Sequence, residues 1–279
     1  MLVVLMVISC STLGVLNLWN SFVFQSKVFA LDNCDTTSKC SNIDTGIDNS
    51  QTNNCKNFSV CTNDANGNDN IQTNYCNTAQ EFGCENKADG SNNNQNNNCT
   101  KDSVFGCFNF ASSNENVQNI LCNSIGTQGC STFAFDDNNL QIVGCKNVGA
   151  DGCSASAVGA SNSQYMQCTS VGNGCVTSTN GEGNYQNMNC YSVSGGCDND
   201  AQGSENIQVL HCVTSVRCTN ESNSPAGGNT QKTVCVNSNT CQNDGTDTKV
   251  ISVGSSCNSN NPGTVTICAN GRIITRPHP

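Results

Sequence analysis

Residues 116–145 read NVQNILCNSIGTQGCSTFAFDDNNLQIVGC and contain the pattern that decides the fold. The motif Asn-x-Gln-x-x-x-Cys occurs twice in this stretch, ending at Cys122 and at Cys145, and a second cysteine, Cys130, lies between the two copies. In each motif the Asn, the Gln, the residue two before the cysteine and the cysteine are spaced by two. In a β-strand this spacing places all four side chains on one face. The stretch therefore predicts strands that recur once per repeat.

Cysteines mark the same repeat through most of the chain. The first cysteine of each unit recurs every 21 to 23 residues, and the second follows it by six to eight positions in the first ten units. The first cysteines are Cys34, Cys55, Cys76, Cys99, Cys122, Cys145, Cys168, Cys190, Cys212, Cys235 and Cys257. The second cysteines are Cys40, Cys61, Cys84, Cys107, Cys130, Cys153, Cys175, Cys197, Cys218, Cys241 and Cys268. Such a period is typical of a solenoid. We predict an all-β fold, a parallel β-solenoid (β-helix) of eleven coils over residues 31–268, with no helix after residue 30.

Glutamines stand four residues before nine of the first cysteines. They are Gln51, Gln72, Gln95, Gln118, Gln141, Gln164, Gln186, Gln208 and Gln231. The residue two before the cysteine is apolar in the middle units, as at Val143 and Met166, so we predict that this face is the interior. Stacked amides can hydrogen-bond to their copies in the coils above and below. We therefore predict a glutamine ladder, which ends where Val253 replaces the glutamine of the eleventh unit.

The even number of cysteines after residue 30 favours one simple disulfide pattern. Pairing within each unit, from Cys34–Cys40 to Cys257–Cys268, uses all of them, whereas pairing between successive units leaves two over. We predict eleven disulfides within units, each worth roughly 2 kcal/mol by loop-closure entropy. No Cys-x2-Cys pair occurs and the only histidines are His211 and His278, so we expect no metal site and no other cofactor.

The two ends of the chain depart from the repeat. Residues 1–16 are almost continuously apolar, and Val28-Phe29-Ala30 has the small or branched residues of a signal-peptidase site. We predict a signal peptide over residues 1–30, and the alternative is an N-terminal membrane anchor. Residues 269–279 carry Pro277 and Pro279 and are predicted to form a C-terminal cap or a docking tail.

Composition limits the partners and the compartment. The chain has a formal net charge of −10 and only 11% charged residues, which argues against nucleic acid and anionic membrane as partners. Export by the predicted signal peptide would place the cysteines in an oxidising compartment. We expect a secreted or cell-surface protein, without membrane contact after signal cleavage. Its expected partners are other copies of itself, other surface or matrix components, and glycans.

The repeats resemble two known families. The period with Gln and Asn at fixed strand positions resembles the repeats of curli-type amyloid subunits, and the regular cysteines resemble the disulfide-stapled β-solenoid of beetle antifreeze proteins. Curli repeats lack cysteine, and the stacked Thr-x-Thr face of the antifreeze family is missing here, because Thr246-Asp247-Thr248 and Thr264-Val265-Thr266 stand alone. The resemblance implies a solenoid and assigns no site residue.

Two groups of residues are candidates for a ligand or catalytic site. Acidic residues follow four of the second cysteines by three positions: Asp64, Asp200, Glu221 and Asp244. Other residue types interrupt this column: Lys87, Phe110, Phe133, Ser156 and Ser178. A solvated face is the favoured interpretation, and a catalytic or sugar-binding column is the alternative. For the apolar group of Phe108, Phe110, Phe133 and Phe135 we predict core filling, with a ligand platform as the alternative.

These observations favour a structural or adhesive protein of the cell surface without catalytic activity. A β-helix protein that binds or cleaves polysaccharide is the first alternative, and an ice- or crystal-binding solenoid is the second. The sequence contains no phosphate-binding loop, no nucleophile elbow and no catalytic triad.

Overall fold

The computed structural model describes residues 29–34, 39–56, 60–77, 84–100, 106–123, 126, 129–149, 152–223, 228–236, 238, 240–245, 249–254, 258–259, 265–268 and 272–275. Side chains are described at residues 29–31 and, within those ranges, from 41 to 242. The predicted signal peptide lies outside these residues except for Phe29 and Ala30. Both belong to the first strand, so cleavage at the predicted position shortens that strand by two residues.

The described residues form 24 strands in two sheets. The first sheet has 13 strands in the order β1 (Phe29–Cys34), β3 (Ser50–Lys56), β5 (Ile71–Asn77), β7 (Asn94–Thr100), β9 (Val117–Asn123), β11 (Leu140–Lys146), β13 (Ser163–Thr169), β15 (Tyr185–Tyr191), β17 (Ile207–Val213), β19 (Thr230–Val236), β21 (Lys249–Gly254), β23 (Val265–Cys268) and β24 (Arg272–Thr275). The second has 11 strands in the order β2 (Lys39–Asp44), β4 (Val60–Asn66), β6 (Cys84–Asp89), β8 (Phe108–Ser112), β10 (Cys130–Phe135), β12 (Cys153–Val158), β14 (Cys175–Asn180), β16 (Cys197–Gln202), β18 (Arg217–Asn223), β20 (Thr240–Gly245) and β22 (Asn258–Ser259).

Each coil contributes one strand to each sheet, and equivalent residues of successive coils lie opposite one another. Gln118, Gln141 and Gln164 are register partners in β9, β11 and β13, and the cysteines that follow them are also in register. All pairs from β1 to β20 are parallel and keep this register. The predicted parallel β-solenoid is confirmed, with two strands per coil.

The C-terminal end departs from the predicted eleventh repeat. In β21, Val250 lies opposite Gln231 and Gly254 lies opposite Cys235. The prediction that Val253 takes the glutamine position is therefore wrong, and the regular coils number fewer than eleven. Counting four residues back from Cys257 gives Val253, but the strand pairing places Val250 opposite Gln231, three residues earlier. The last strand, β24, pairs antiparallel with β23 and ends the parallel stacking.

The glutamine ladder is confirmed in the interior. The Gln141 amide donates to Gln118 Oε1 at 3.1 Å and to the carbonyl of Ser156 in the second sheet at 2.9 Å. Gln164 donates in turn to Gln141 Oε1 at 2.8 Å. Such side-chain bonds link every successive pair from Gln51 to Gln186. Each of these amides is fully buried, so water cannot reach it in the folded protein. The ladder supplies the hydrogen-bond partners that water supplies in the unfolded chain.

A second amide chain runs between the two sheets in the N-terminal coils. Asn Nδ2 groups donate to Asn Oδ1 groups of the facing sheet at 2.7 to 2.9 Å, so the chain alternates between the sheets. Its members are Asn42, Asn53, Asn63, Asn74, Asn86, Asn97 and Asn109. In later coils the first-sheet positions become apolar, as at Ile120, Val143 and Met166, all fully buried. The core is thus filled mainly by amides at one end, whereas further along apolar side chains share it with the glutamine ladder and with buried Thr177 and Asn199.

Disulfides join the two sheets on one side of each coil. The nine that the described side chains form are Cys55–Cys61, Cys76–Cys84, Cys99–Cys107, Cys122–Cys130, Cys145–Cys153, Cys168–Cys175, Cys190–Cys197, Cys212–Cys218 and Cys235–Cys241. These are nine of the eleven predicted pairs. The other two, Cys34–Cys40 and Cys257–Cys268, involve side chains outside the described set.

The corner before the second cysteine requires glycine where coils touch closely. Gly152 has a φ of +69°, and a Cβ added there would lie 1.9 Å from the carbonyl oxygen of Gly174 in the next coil. Any side chain at this position forces the two coils apart. This contact explains the recurring Gly-Cys pair of the sequence.

The prediction that the four phenylalanines fill the core is wrong. Phe108, Phe110, Phe133 and Phe135 stand one, three or five residues after a second cysteine, and the strand alternation points these positions outward. Phe135 is 37% exposed and the other three are partly exposed. The second-sheet core positions are instead taken by small residues, such as Ala111 and Ala134.

Candidate functional site

Strand alternation leaves two outer faces on which the exposed side chains form columns. We call the outward positions of the odd strands β3 to β19 the lysine face, and those of the even strands β4 to β18 the acidic face. Both lie on parallel strands in one register, so side chains of successive coils are about 4.8 Å apart. Each face is a regular surface, and the candidate sites are found on them.

The lysine face carries no carboxylate. The three charged side chains at its described positions are Lys56, Lys146 and Lys232, on β3, β11 and β19, and all three are exposed. This is unusual for a chain with a net charge of −10. The lysine face is therefore positive while the molecule is negative.

The same face exposes many apolar and aromatic side chains. Those with 36 to 52% exposure are Ile71, Tyr75, Leu121, Ile142, Tyr165, Tyr191, Ile207 and Val236. Tyr165 and Tyr185 are in contact, with ring centroids 5.5 Å apart. These side chains are spread from β5 to β19, and Leu121 and Ile142 lie on the neighbouring strands β9 and β11.

A groove of about 420 Å³ crosses this face in the middle coils. Its walls include Tyr75, Leu121 and Ile142, and Asn98 lines it between them. Gly144 lies at one edge of the groove and adds no side chain to a column that otherwise carries larger residues; a Cβ there would lie 3.1 Å from Leu121 Cδ1. An uncharged groove with one aromatic ring and several amides suits a neutral, hydroxyl-rich ligand.

The acidic face has the opposite charge. Its described carboxylates are Asp64, Glu85, Asp89, Asp198, Asp200 and Glu221, against two cations, Lys87 and Arg217. The acids lie at the two ends, on β4 and β6 and on β16 and β18. Arg217 neutralises Asp198 through an ion pair of 2.5 Å.

The predicted carboxylate column is present on this face. Asp64 lies opposite Lys87, and Asp200 lies opposite Glu221, which lies opposite Asp244. Burial, and secondarily the charge of Glu221, raises the pKa of Asp200 above its ordinary value of 3.8. The predicted interruptions also stand in the column, as Phe110 opposite Lys87 and Phe133 opposite Phe110. The arrangement brings two carboxylates together but supplies no nearby histidine, because His211 lies on the lysine face.

The four phenylalanines form a platform in the middle of the acidic face. Phe110 and Phe133 are stacked with centroids 6.1 Å apart, and Phe133 lies 4.7 Å from Phe135. Phe108 completes the group at 6.5 Å from Phe110. The sequence alternation could have placed these rings outside, since their offsets from the cysteines are odd. The ligand-platform alternative agrees with this position.

Buried sulfur atoms cluster closely enough to suggest a metal site. The Sγ atoms of Cys76, Cys84, Cys99 and Cys107 all lie within 4.8 Å of one another. Each of them is part of a disulfide, so the cluster offers no thiolate to a metal ion.

No helix among the described residues is long and apolar enough to cross a lipid bilayer. Comparison of the chain with protein-family models, with curated proteins and with solved structures finds no match.

Proposed function

We propose that the protein is a secreted or cell-surface structural and adhesive repeat protein without catalytic activity. The observation that supports this most is the use of the interior. From β3 to β20 each coil is filled by a disulfide, a glutamine and other buried side chains, so the recurring geometry of the repeat serves the stability of the rod. Binding or chemistry is left to the outer faces, one of which carries the groove lined by Tyr75 and Leu121.

The disulfides also bear on the compartment. Nine of them in one chain indicate an oxidising environment outside the cytosol. A rod stabilised by covalent links and buried amides suits a surface layer or matrix, where it must resist unfolding without a large hydrophobic core. Its proposed partners are further copies of the chain, other matrix components and glycans.

A polysaccharide-binding role is the second candidate, and the groove at Gly144 favours it. Tyr75 offers a ring face and Asn98 and Asn119 offer amides along the same groove. A polysaccharide-cleaving role has less support, because Asp200 and Glu221 lie on an open face where the described side chains place no cation or histidine beside both.

Microscopy of a deletion strain tests the proposal. In the organism that encodes the chain, we expect immunogold label on the cell surface and a deletion that reduces cell clumping or thins the surface layer. Release of new reducing ends from a polysaccharide by the purified protein would contradict the non-catalytic role. A matched protein with Asp200→Asn and Glu221→Gln controls for contaminating hydrolases.

A further inference from the structure

Among the described residues, the two outer faces of the rod carry complementary charges, and their apolar regions lie at matching levels. We infer that the lysine face of one molecule docks on the acidic face of a second copy of this chain, side by side, so that the rods assemble into lateral arrays. The inference deepens the proposed structural role and rests on it. Each face is then covered by another molecule of the same protein.

Charge complementarity is the first argument. The lysine face has three exposed cations and no carboxylate among its described positions, whereas the acidic face has six carboxylates and two cations. An interface between two acidic faces would bring like charges together, which disfavours pairing of the acidic face with itself. Pairing of unlike faces is the arrangement that removes this repulsion.

The spacing of the charges along the rod is the second argument. Lys56 on β3 and Lys232 on β19 are eight coils apart, which is about 38 Å at the usual strand spacing. Asp64 on β4 and Glu221 on β18 are seven coils apart, which is about 34 Å. The two pairs therefore lie at the same levels to within about one coil. A molecule docked side by side brings a lysine to each acidic end.

The apolar regions also lie at matching levels. The phenylalanine platform occupies β8 and β10, and the exposed Leu121 and Ile142 occupy β9 and β11 of the other face. A protein interface usually has aromatic and aliphatic groups in its centre and charged groups at its rim. Lys146 lies at the same level, where its ammonium can approach an aromatic face.

The symmetry follows from the use of two different faces. A contact between unlike faces is heterologous, and it leaves a free lysine face and a free acidic face on every pair. Each added molecule therefore presents the same two faces again, and the assembly extends sideways. End-to-end stacking of terminal strands is a separate contact that uses neither face.

Two single-face variants test the inference. Tyr165→Asp places a charge on the lysine face, and Phe133→Asp places one on the acidic face; both positions point outward, and Asn92→Asp adds the same charge in an exposed turn as a control. Sedimentation velocity follows the full chain after signal cleavage, and circular dichroism and thermal melting verify that each variant is folded.

The expected result is specific to contact between unlike faces. The parent and Asn92→Asp proteins should form oligomers that grow with concentration, and each single-face variant alone should stay monomeric, with more than about tenfold weaker association. An equimolar mixture of the two variants should give a heterodimer and nothing larger, since one intact face of each kind remains.

Three results would overturn the inference: a monomeric parent, a Phe133→Asp protein that still dimerises by itself through the lysine face, or a mixture that stays monomeric. A monomeric parent that still labels the cell surface and still supports clumping would leave the proposed structural role standing. Lateral assembly of the purified protein without any label on the cell surface would support the docking but contradict the proposed surface role.

Discussion

Replacing Gln141 with leucine should destabilise the rod far more than replacing its neighbour Ile142 with threonine. Gln141 is fully buried and makes three hydrogen bonds through its amide, to Gln118, to the Ser156 carbonyl and from Gln164. Leucine leaves the Gln118 oxygen and the Ser156 carbonyl without this donor. Each buried group left without a partner costs about 1 to 3 kcal/mol. After the gain from burying leucine, we expect a net loss of about 2 to 4 kcal/mol.

The matched variant, Ile142→Thr, changes a side chain that is 41% exposed and keeps a residue suited to strands. Its expected cost is below about 1 kcal/mol. Urea unfolding with the disulfides intact measures the loss of unfolding free energy for both variants. The loss is the change in midpoint concentration multiplied by the parent protein's slope of unfolding free energy against urea concentration. Equal and small shifts for the two variants would refute the reasoning, because they would mean that the glutamine amide is not a buried partner of its neighbours.

Three further predictions concern the acidic face, the C-terminal end and the disulfides. Because burial raises the pKa of Asp200, the folded state binds this proton more tightly than the unfolded chain, so stability is lost as pH rises above 3.8 through the raised pKa. Asp200→Asn should therefore raise the thermal midpoint at pH 7. The difference in midpoint from the parent should vanish at a pH below 3.8, where Asp200 is protonated in both the folded and the unfolded parent. Deleting Ile273–Pro279 removes most of β24 and frees the edge of β23, so light scattering should detect more end-to-end association; a truncated protein as monomeric as its parent would contradict a capping role. Non-reducing peptide mapping should recover Cys145–Cys153 and its equivalents, and abundant links between units, or free thiols, would contradict the pairing.

Sequence spacing predicted the parts of the fold that depend on a strict period. The cysteine and glutamine positions recur with the coil, so their register follows from counting. Gln141, for example, could be placed opposite Gln118 before any coordinates were known. The within-unit disulfides followed from the same regularity together with the even number of cysteines.

Other features depended on where each strand ends and on what faces it. The amide chain through Asn63 and Asn86 was missed because it joins positions in two different strands, and a motif read along one strand does not reveal the partner. The hydrophobicity of the phenylalanines favours the core, but their odd offset from the cysteine places them on the outer face. The charge difference between the faces could be seen only after the register had assigned each residue to a side.

The coils stack in register, and distances along one column of outward side chains measure this stacking. Thr73, Asn119, Tyr165 and Val209 point outward at the same strand position on β5, β9, β13 and β17, each two coils beyond the last. Spin labels attached through an unnatural amino acid at Thr73 and at one of the others give three distances by electron–electron double resonance. The account predicts that they rise in equal steps of about 10 Å, two strand spacings each. Distances that stay level or rise unequally would contradict a solenoid of stacked coils.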